Sequence, residues 1–165
     1  MTQTRLMTAC LAVTDAIAQD SSPQAAYRAM DAAVAGLIGH SLFTVLVWSE
    51  GGLDVERTYS SRPDAYPVQG RKRMAVTPWG ELVLKRQQCF LGPDVESIRW
   101  AFPDHALIES LGLGCAFNVP VRLGGEVIGT INVLDRAGAY TSLDQVDLVR
   151  CLSAYLIPAL LAARR

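Results

Sequence analysis

The chain has 165 residues, half of them hydrophobic, and a formal net charge of −1. That length predicts a single domain over residues 1–165, able to bury roughly 70% of the surface its unfolded chain exposes without help from a disulfide or metal. The near-neutral balance excludes the strong field that recruits nucleic acid or an anionic membrane, so neither is expected as a partner.

Cys10, Cys89, Cys115 and Cys151 are widely spaced and form no C-x-x-C pair. The first twenty residues mix Thr, Gln, Arg and Asp with apolar residues and lack a signal-peptide core. Together these features predict a cytoplasmic chain with reduced thiols. The most apolar run, 151–163, contains Pro158 and is about two-thirds of a membrane span.

Leu6, Cys10, Val13 and Ile17 recur at helical spacing, with Ala9 on the same stripe. A stop and restart follow, with Ser22 suited to an N-cap and Pro23 to the first helical position. Tyr27, Met30, Val34 and Leu37 form a second stripe, and Gly39 and His40 mark its end. His40 there reads as a capping or surface residue.

Leu42–Trp48 is rich in branched and aromatic residues and predicts a strand, with a hairpin partner over 53–59 after the turn at Glu50, Gly51 and Gly52. Residues 60–76, with Pro63, Pro67 and Gly70, read as loop. Thr77 and Pro78 then look like the N-cap and first residue of a helix reaching about Arg86. A short strand over 89–91 and a mixed connection over 94–109 follow. Two strands meet at the Gly124-Gly125 turn, and a Thr141-to-Asp144 step starts the last helix, which Pro158 should kink or loosen.

This order predicts an α+β fold: an antiparallel sheet of five to six strands, with the N- and C-terminal helices on one face. The other face should lie beneath a covering layer made by the Trp79 helix and the 94–109 connection, leaving room for a pocket. Strand alternation assigns Val127, Gly129, Ile131 and Val133 to the helical face, and Ile128, Thr130, Asn132 and Leu134 to the pocket face.

The candidate ligand-binding residues follow from that division. Thr130, Asn132 and the neighbouring Asn118 are polar groups on the pocket face that need partners if buried. Trp79, Trp100 and Phe102 fall in the covering segments and supply aromatic walls. Asp104 and His105 form an adjacent acid–imidazole pair, although an Asp after Pro103 also suits a helix N-cap. Cys115 is a candidate redox-sensitive thiol or a small buried hydrophobe. Cys10 and Cys151 read as core or dimer-seam residues. The clusters Arg71-Lys72-Arg73 and Lys85-Arg86 read as a solvated loop and a helix C-terminus rather than a nucleic-acid groove.

From Leu111 to Asp144 the chain has a Pro-containing strand, a Gly-Gly turn, a strand with Val-Ile-Gly-Thr, and Tyr140-Thr-Ser-Leu-Asp144 before the closing helix. This segment resembles the closing half of a GAF domain; a PAS fold is the rival architecture. The resemblance implies a small-molecule sensor and dimerisation module. Tyr140 and Asp144 resemble part of the cyclic-nucleotide-binding signature, with Arg136 placed to pair with Asp144. Asp135 and Gln145 depart from that signature, so the echo implies a structural latch. Compared with GAF-fold free methionine-(R)-sulfoxide reductases, the nucleophile falls near Glu109 and a resolving position near Trp79, where thiols are absent. The bilin-anchoring Cys-His step is also missing beside His105.

The leading expectation is a non-catalytic domain that binds a small organic ligand, dimerises through its terminal helices and signals through a downstream protein. The sequence names no cofactor, metal site or catalytic residue. The alternatives are a thiol-dependent redox enzyme using Cys115 or Cys89 with His105, and a structural adaptor with a plugged core.

Overall fold

A computed structural model describes residues 2–164; Met1 and Arg165 lie outside the described residues. Two helices open the chain, α1 (Thr2–Gln19) and α2 (Pro23–Ile38). Ser22 caps α2 by accepting from Ala25 N at 3.3 Å, and Gly39 ends it with φ 74°. That left-handed conformation is one a side-chain-bearing residue adopts at a cost.

The strands are β1 (Leu42–Trp48), β2 (Asp54–Ser60), β3 (Gln69–Arg73), β4 (Phe90–Gly92), β5 (Cys115–Leu123) and β6 (Glu126–Asp135). They form one antiparallel sheet in the order β3-β2-β1-β6-β5-β4. The sixth strand corrects the loop expected over 60–76: the basic run is β3, an edge strand. Pro63 and Pro67 before the strand and Gly70 within it dominate that local signal, and pairing with β2 supplies what local propensity lacks. Charged side chains also suit an exposed edge, where they discourage pairing with another chain.

Thr77 caps α3 (Pro78–Gly80) as expected, accepting from Gly80 N at 3.0 Å. The helix then widens through 81–85, where Arg86 N donates to Glu81 O five residues back at 3.0 Å. The mixed connection resolves into α4 (Val95–Ala101) and α5 (His105–Ser110). The closing helix begins one residue later than expected. Ser142, not Thr141, is the N-cap, in a reciprocal capping box with Gln145. It runs as α6 (Leu143–Leu152), tightens over 153–156 and resumes as α7 (Ile157–Ala163). Pro158, which has no N–H to donate, lies in the first turn of α7, just beyond the tightened segment.

The continuous stretch Leu143–Ala163 is 21 residues long and apolar enough to cross a membrane by length and composition alone, which exceeds the shorter run noted in the sequence. Val146, Val149, Leu152, Leu156 and Leu160 are nonetheless buried in the main core, facing the sheet together with α2. Gly129 permits this contact: a Cβ there would come within 2.7 Å of both Leu160 and the Leu46 carbonyl.

Two smaller clusters cover the opposite face, one around Ile98, Ile108 and Leu134 and one around Trp48, Trp79 and Phe90. Alternation assigns β6 correctly from Gly129 onward but not at its start. Ile128 packs in the helical-face core and Val127 on the other side. The pairing slips there, with Val121 opposite Gly129 and Arg122 opposite Val127. The extra residue of this bulge reverses the inside–outside pattern.

Candidate functional site

Across the middle of the pocket face, one residue from each of three adjacent strands falls in line: Asn118 on β5 pairs with Asn132 on β6, which pairs with Thr44 on β1. Their side chains form a continuous relay. Trp79 Nε1 donates to Asn118 Oδ1 at 2.8 Å, Asn118 Nδ2 to Asn132 Oδ1 at 2.7 Å, and Asn132 Nδ2 to Thr44 Oγ1 at 3.1 Å. Beside it, Trp48 Nε1 donates to Thr130 Oγ1 at 3.4 Å. Strand register thus places partners for polar groups that would otherwise be costly to bury.

Next to the relay, between the sheet and the layer of α3, α4 and the 61–76 segment, lies a cavity of about 160 Å³. Trp48, Trp79 and Phe102 line it, with Leu46, Val55 and Leu134 among its apolar walls. The Trp48 and Trp79 ring centroids are 6.1 Å apart, and those of Trp79 and Phe102 are 6.4 Å apart. Thr44, Asn132, Arg57 and Asp104 contribute polar groups to the lining.

Arg57 and Tyr66 form the other end. Arg57 is only 8% exposed. Its Nη1 donates to Pro67 O at 2.7 Å, and its guanidinium carbon sits 3.8 Å from the Tyr66 ring centroid. The Tyr66 hydroxyl donates to Asp104 Oδ2. Burial, reinforced by the Asp104 charge and hydrogen bond, pushes the Tyr66 phenol above its ordinary pKa. Asp104 occupies the N-cap position of α5 but makes no capping bond there, turning to Tyr66 instead.

Among the residues expected from sequence, Trp79, Phe102, Asp104 and Asn132 meet at the cavity. Asn118 and Thr130 are fully buried behind the lining and engaged by Trp79 and Trp48. Trp100 is placed otherwise: it is 50% exposed and stacks on Phe90 from outside, at 5.7 Å. The short α4 turns Ile98 and Ala101 inward, and Trp100 falls on the outer side of that turn. His105 also faces outward, with Nδ1 3.3 Å from Glu109 Oε1, and Arg99 pairs with the same carboxylate.

Cys115 lies on the opposite face of the sheet, buried in the helical-side core, where its thiol donates to Arg136 O at 3.0 Å. Burial pushes both the Cys115 and Cys89 thiols up. Cys151 is exposed rather than core. His40 is not a surface residue: its Nε2 lies 2.7 Å from Asp31 Oδ1, and Asp31 Oδ2 accepts from the Tyr59 hydroxyl at 2.6 Å. Among the described residues no ion pair joins Arg136 to Asp144. The latch is Tyr140 itself, whose hydroxyl donates to Gly39 O at 2.8 Å while its ring meets Phe117 edge-on.

Sequence reading missed Arg57, Tyr66, Thr44 and Trp48. Arg57 and Val55 share a face of β2, so an arginine at an inward alternate position was a usable signal. Tyr66 carried none, because its place depends on the course of a loop.

A family model described as GAF domain matches residues 19–160. The chain belongs to the GAF family. Solved GAF domains share its architecture. That of an Acinetobacter phosphoenolpyruvate-protein phosphotransferase aligns with a TM-score of 0.74 at 16% identity, over 95% of this chain and 93% of that one. Its Coxiella burnetii counterpart gives 0.74 at 12% identity, covering 97% and 94%. A far-red-absorbing protein with bound biliverdin IXa gives 0.63 at 17% identity, covering 95% and 99%. At such identities the likeness is one of fold. No curated protein matches the chain by sequence. GAF domains include small-molecule-binding sensory modules, and this GAF domain carries its cavity on the sheet face away from the terminal helices.

Proposed function

We propose that this GAF domain is a non-catalytic sensory or regulatory module that holds a small organic molecule between the sheet and the α3–α5 layer. The observation that carries this reading is the cavity of about 160 Å³, with aromatic walls and a few directed polar groups. That combination is characteristic of small-molecule sites, where apolar area gives affinity and sparse polar groups give orientation. The space is close to that of a cavity that holds benzene, about 150 Å³. It suits a compact ligand, not a linear tetrapyrrole like the one bound by the biliverdin-carrying neighbour.

The output would pass to a downstream signalling protein in the cytoplasm, through a homodimer. The C-terminal helical stripe is spent on the domain's own core. Dimerisation is therefore assigned to the outer side of α1, where Met7 is 59% and Leu11 is 58% exposed. The thiol-enzyme alternative loses support from geometry. Cys115 and His105 occupy different environments, and burial disfavours the thiolate at Cys115 and Cys89. The adaptor alternative draws on the relay, whose members satisfy one another without a ligand.

Native mass spectrometry of protein purified from its own cytosol, compared with the denatured sample, tests the proposal. An added mass that leaves on denaturation is expected. A bare mass, together with no thermal stabilisation by a broad set of metabolites, favours the adaptor, because a ligand that binds only the native state must stabilise it.

A further inference from the structure

Resting on the sensory reading above, we infer that the ligand is a small organic carboxylate with a compact, preferably planar apolar body, and that Arg57 recognises its carboxylate. The inference starts from a charge that the protein leaves uncompensated. Arg57 is 92% removed from solvent, as the complement of its 8% exposure, and it lines the cavity. Yet among the described residues it makes no ion pair with a carboxylate. Among the described residues its Nε is buried without a partner, and only Nη1 is hydrogen-bonded, to a neutral carbonyl. Tyr66 offers the guanidinium a ring face but no counter-charge.

A buried cation without an anion is costly, and guanidinium is the group whose planar fork best matches a carboxylate. Asp104 does not cancel it. That carboxylate is exposed at the rim, where water screens its charge, and it accepts the Tyr66 hydroxyl. Tyr66 is thereby held against the guanidinium, which orients the fork. The rest of the cavity is apolar and aromatic, walled by Trp48, Trp79 and Phe102. A ring of benzene size with one carboxylate satisfies both ends.

The test uses the whole chain and paired probes of matched shape: isobutyrate and isobutyramide, benzoate and benzamide, indole-3-carboxylate and its carboxamide, with benzylamine as a cation. Binding is read by calorimetry and by thermal shift. The expected result is that at least one carboxylate binds about tenfold or more tightly than its carboxamide, the effect of one charged hydrogen-bonding partner. Arg57→Met should abolish that preference, and Arg57→Lys should reduce it, because an ammonium keeps the charge but loses the fork. If Arg57→Met does not fold, the wild-type ratio and the lysine variant decide. Equal binding of acids and amides, or preference for the amine, overturns the carboxylate inference while leaving the pocket reading intact. Failure of every probe to bind or to raise the Tm overturns both.

Discussion

Asn118 illustrates how little a residue's type says about its role until its neighbours are known. A strand asparagine on the pocket face invites assignment as a ligand contact, but both polar atoms of its amide are engaged, the oxygen by Trp79 and the nitrogen by Asn132. Its removal should therefore be felt in folding before binding. Asn118→Ala strands the Trp79 indole N–H and the Asn132 carbonyl oxygen in the interior, at about 1–3 kcal/mol for each unsatisfied group. Urea denaturation should show a loss of at least the lower figure; a change within error would mean that the relay adds nothing to stability. Arg57 makes the opposite point. The sequence places it on the hairpin partner strand without singling it out, whereas its burial and, among the described residues, its lack of an ion pair distinguish it within the cavity. Sequence identifies the donor or acceptor, but only the packing shows whether it is already spent.

Among the elements, α7 and β6 are joined by contacts of two kinds. At one end, Leu160 lies over Gly129 so closely that a methyl group has no space, and one of the opposing atoms is a backbone carbonyl that cannot swing aside. Gly129→Ala should cost about 1–3 kcal/mol by overpacking, measured as a lowered Tm. At the other end, Arg164 binds both carboxylate oxygens of Glu126 and donates to Trp48 O at 2.8 Å. The Arg164 hydrogen bonds hold the Glu126 carboxyl below its ordinary value of 4.5, against a smaller opposing effect of burial. A carboxyl whose folded pKa is depressed contributes stability above its unfolded pKa and loses it as pH falls through the folded value. The contribution should thus be complete at neutral pH and fade progressively below about pH 4.5. Because Glu126 is 40% exposed at its side chain, solvent screening limits it to about 0.5–1 kcal/mol. Glu126→Gln should lower stability by that amount at pH 7 and by progressively less towards pH 3. A gap between the two proteins that stays constant with pH would refute the linkage.

For the whole molecule, the two faces of the sheet divide the work. One carries a continuous helical core and the other a thinner layer over a cavity. The proposed dimer belongs to the first side. Leu11→Glu on the exposed side of α1 should convert a dimer to a monomer in light scattering without lowering the Tm of the monomer. A wild-type chain that stays monomeric at high concentration would remove the dimer from the proposal.

Much of this architecture was legible beforehand for identifiable physical reasons. Helical stripes, Ser22-Pro23, Thr77-Pro78 and the Gly-Gly hairpin all act over a few residues, so composition and spacing alone reveal α1, α2, the start of α3 and the β5–β6 pair. The closing segment was specific enough to point to the GAF family, and Pro158 announced an interruption of the last helix, which takes the form of a tightened segment just before it rather than a loosening at it. Other features depended on contacts between segments far apart in the chain. Pairing with β2 made a strand of the basic run at 69–73, and the β6 bulge exchanged Val127 with Ile128. The same long-range packing turned Trp100 and His105 outward, consigned Cys115 to the far core, and brought Arg57, Tyr66 and Asp104 together from a strand, a loop and a helix start. Local chemistry chose the elements; only their three-dimensional registration decided which polar groups would be consumed by the fold and which would be left facing the cavity.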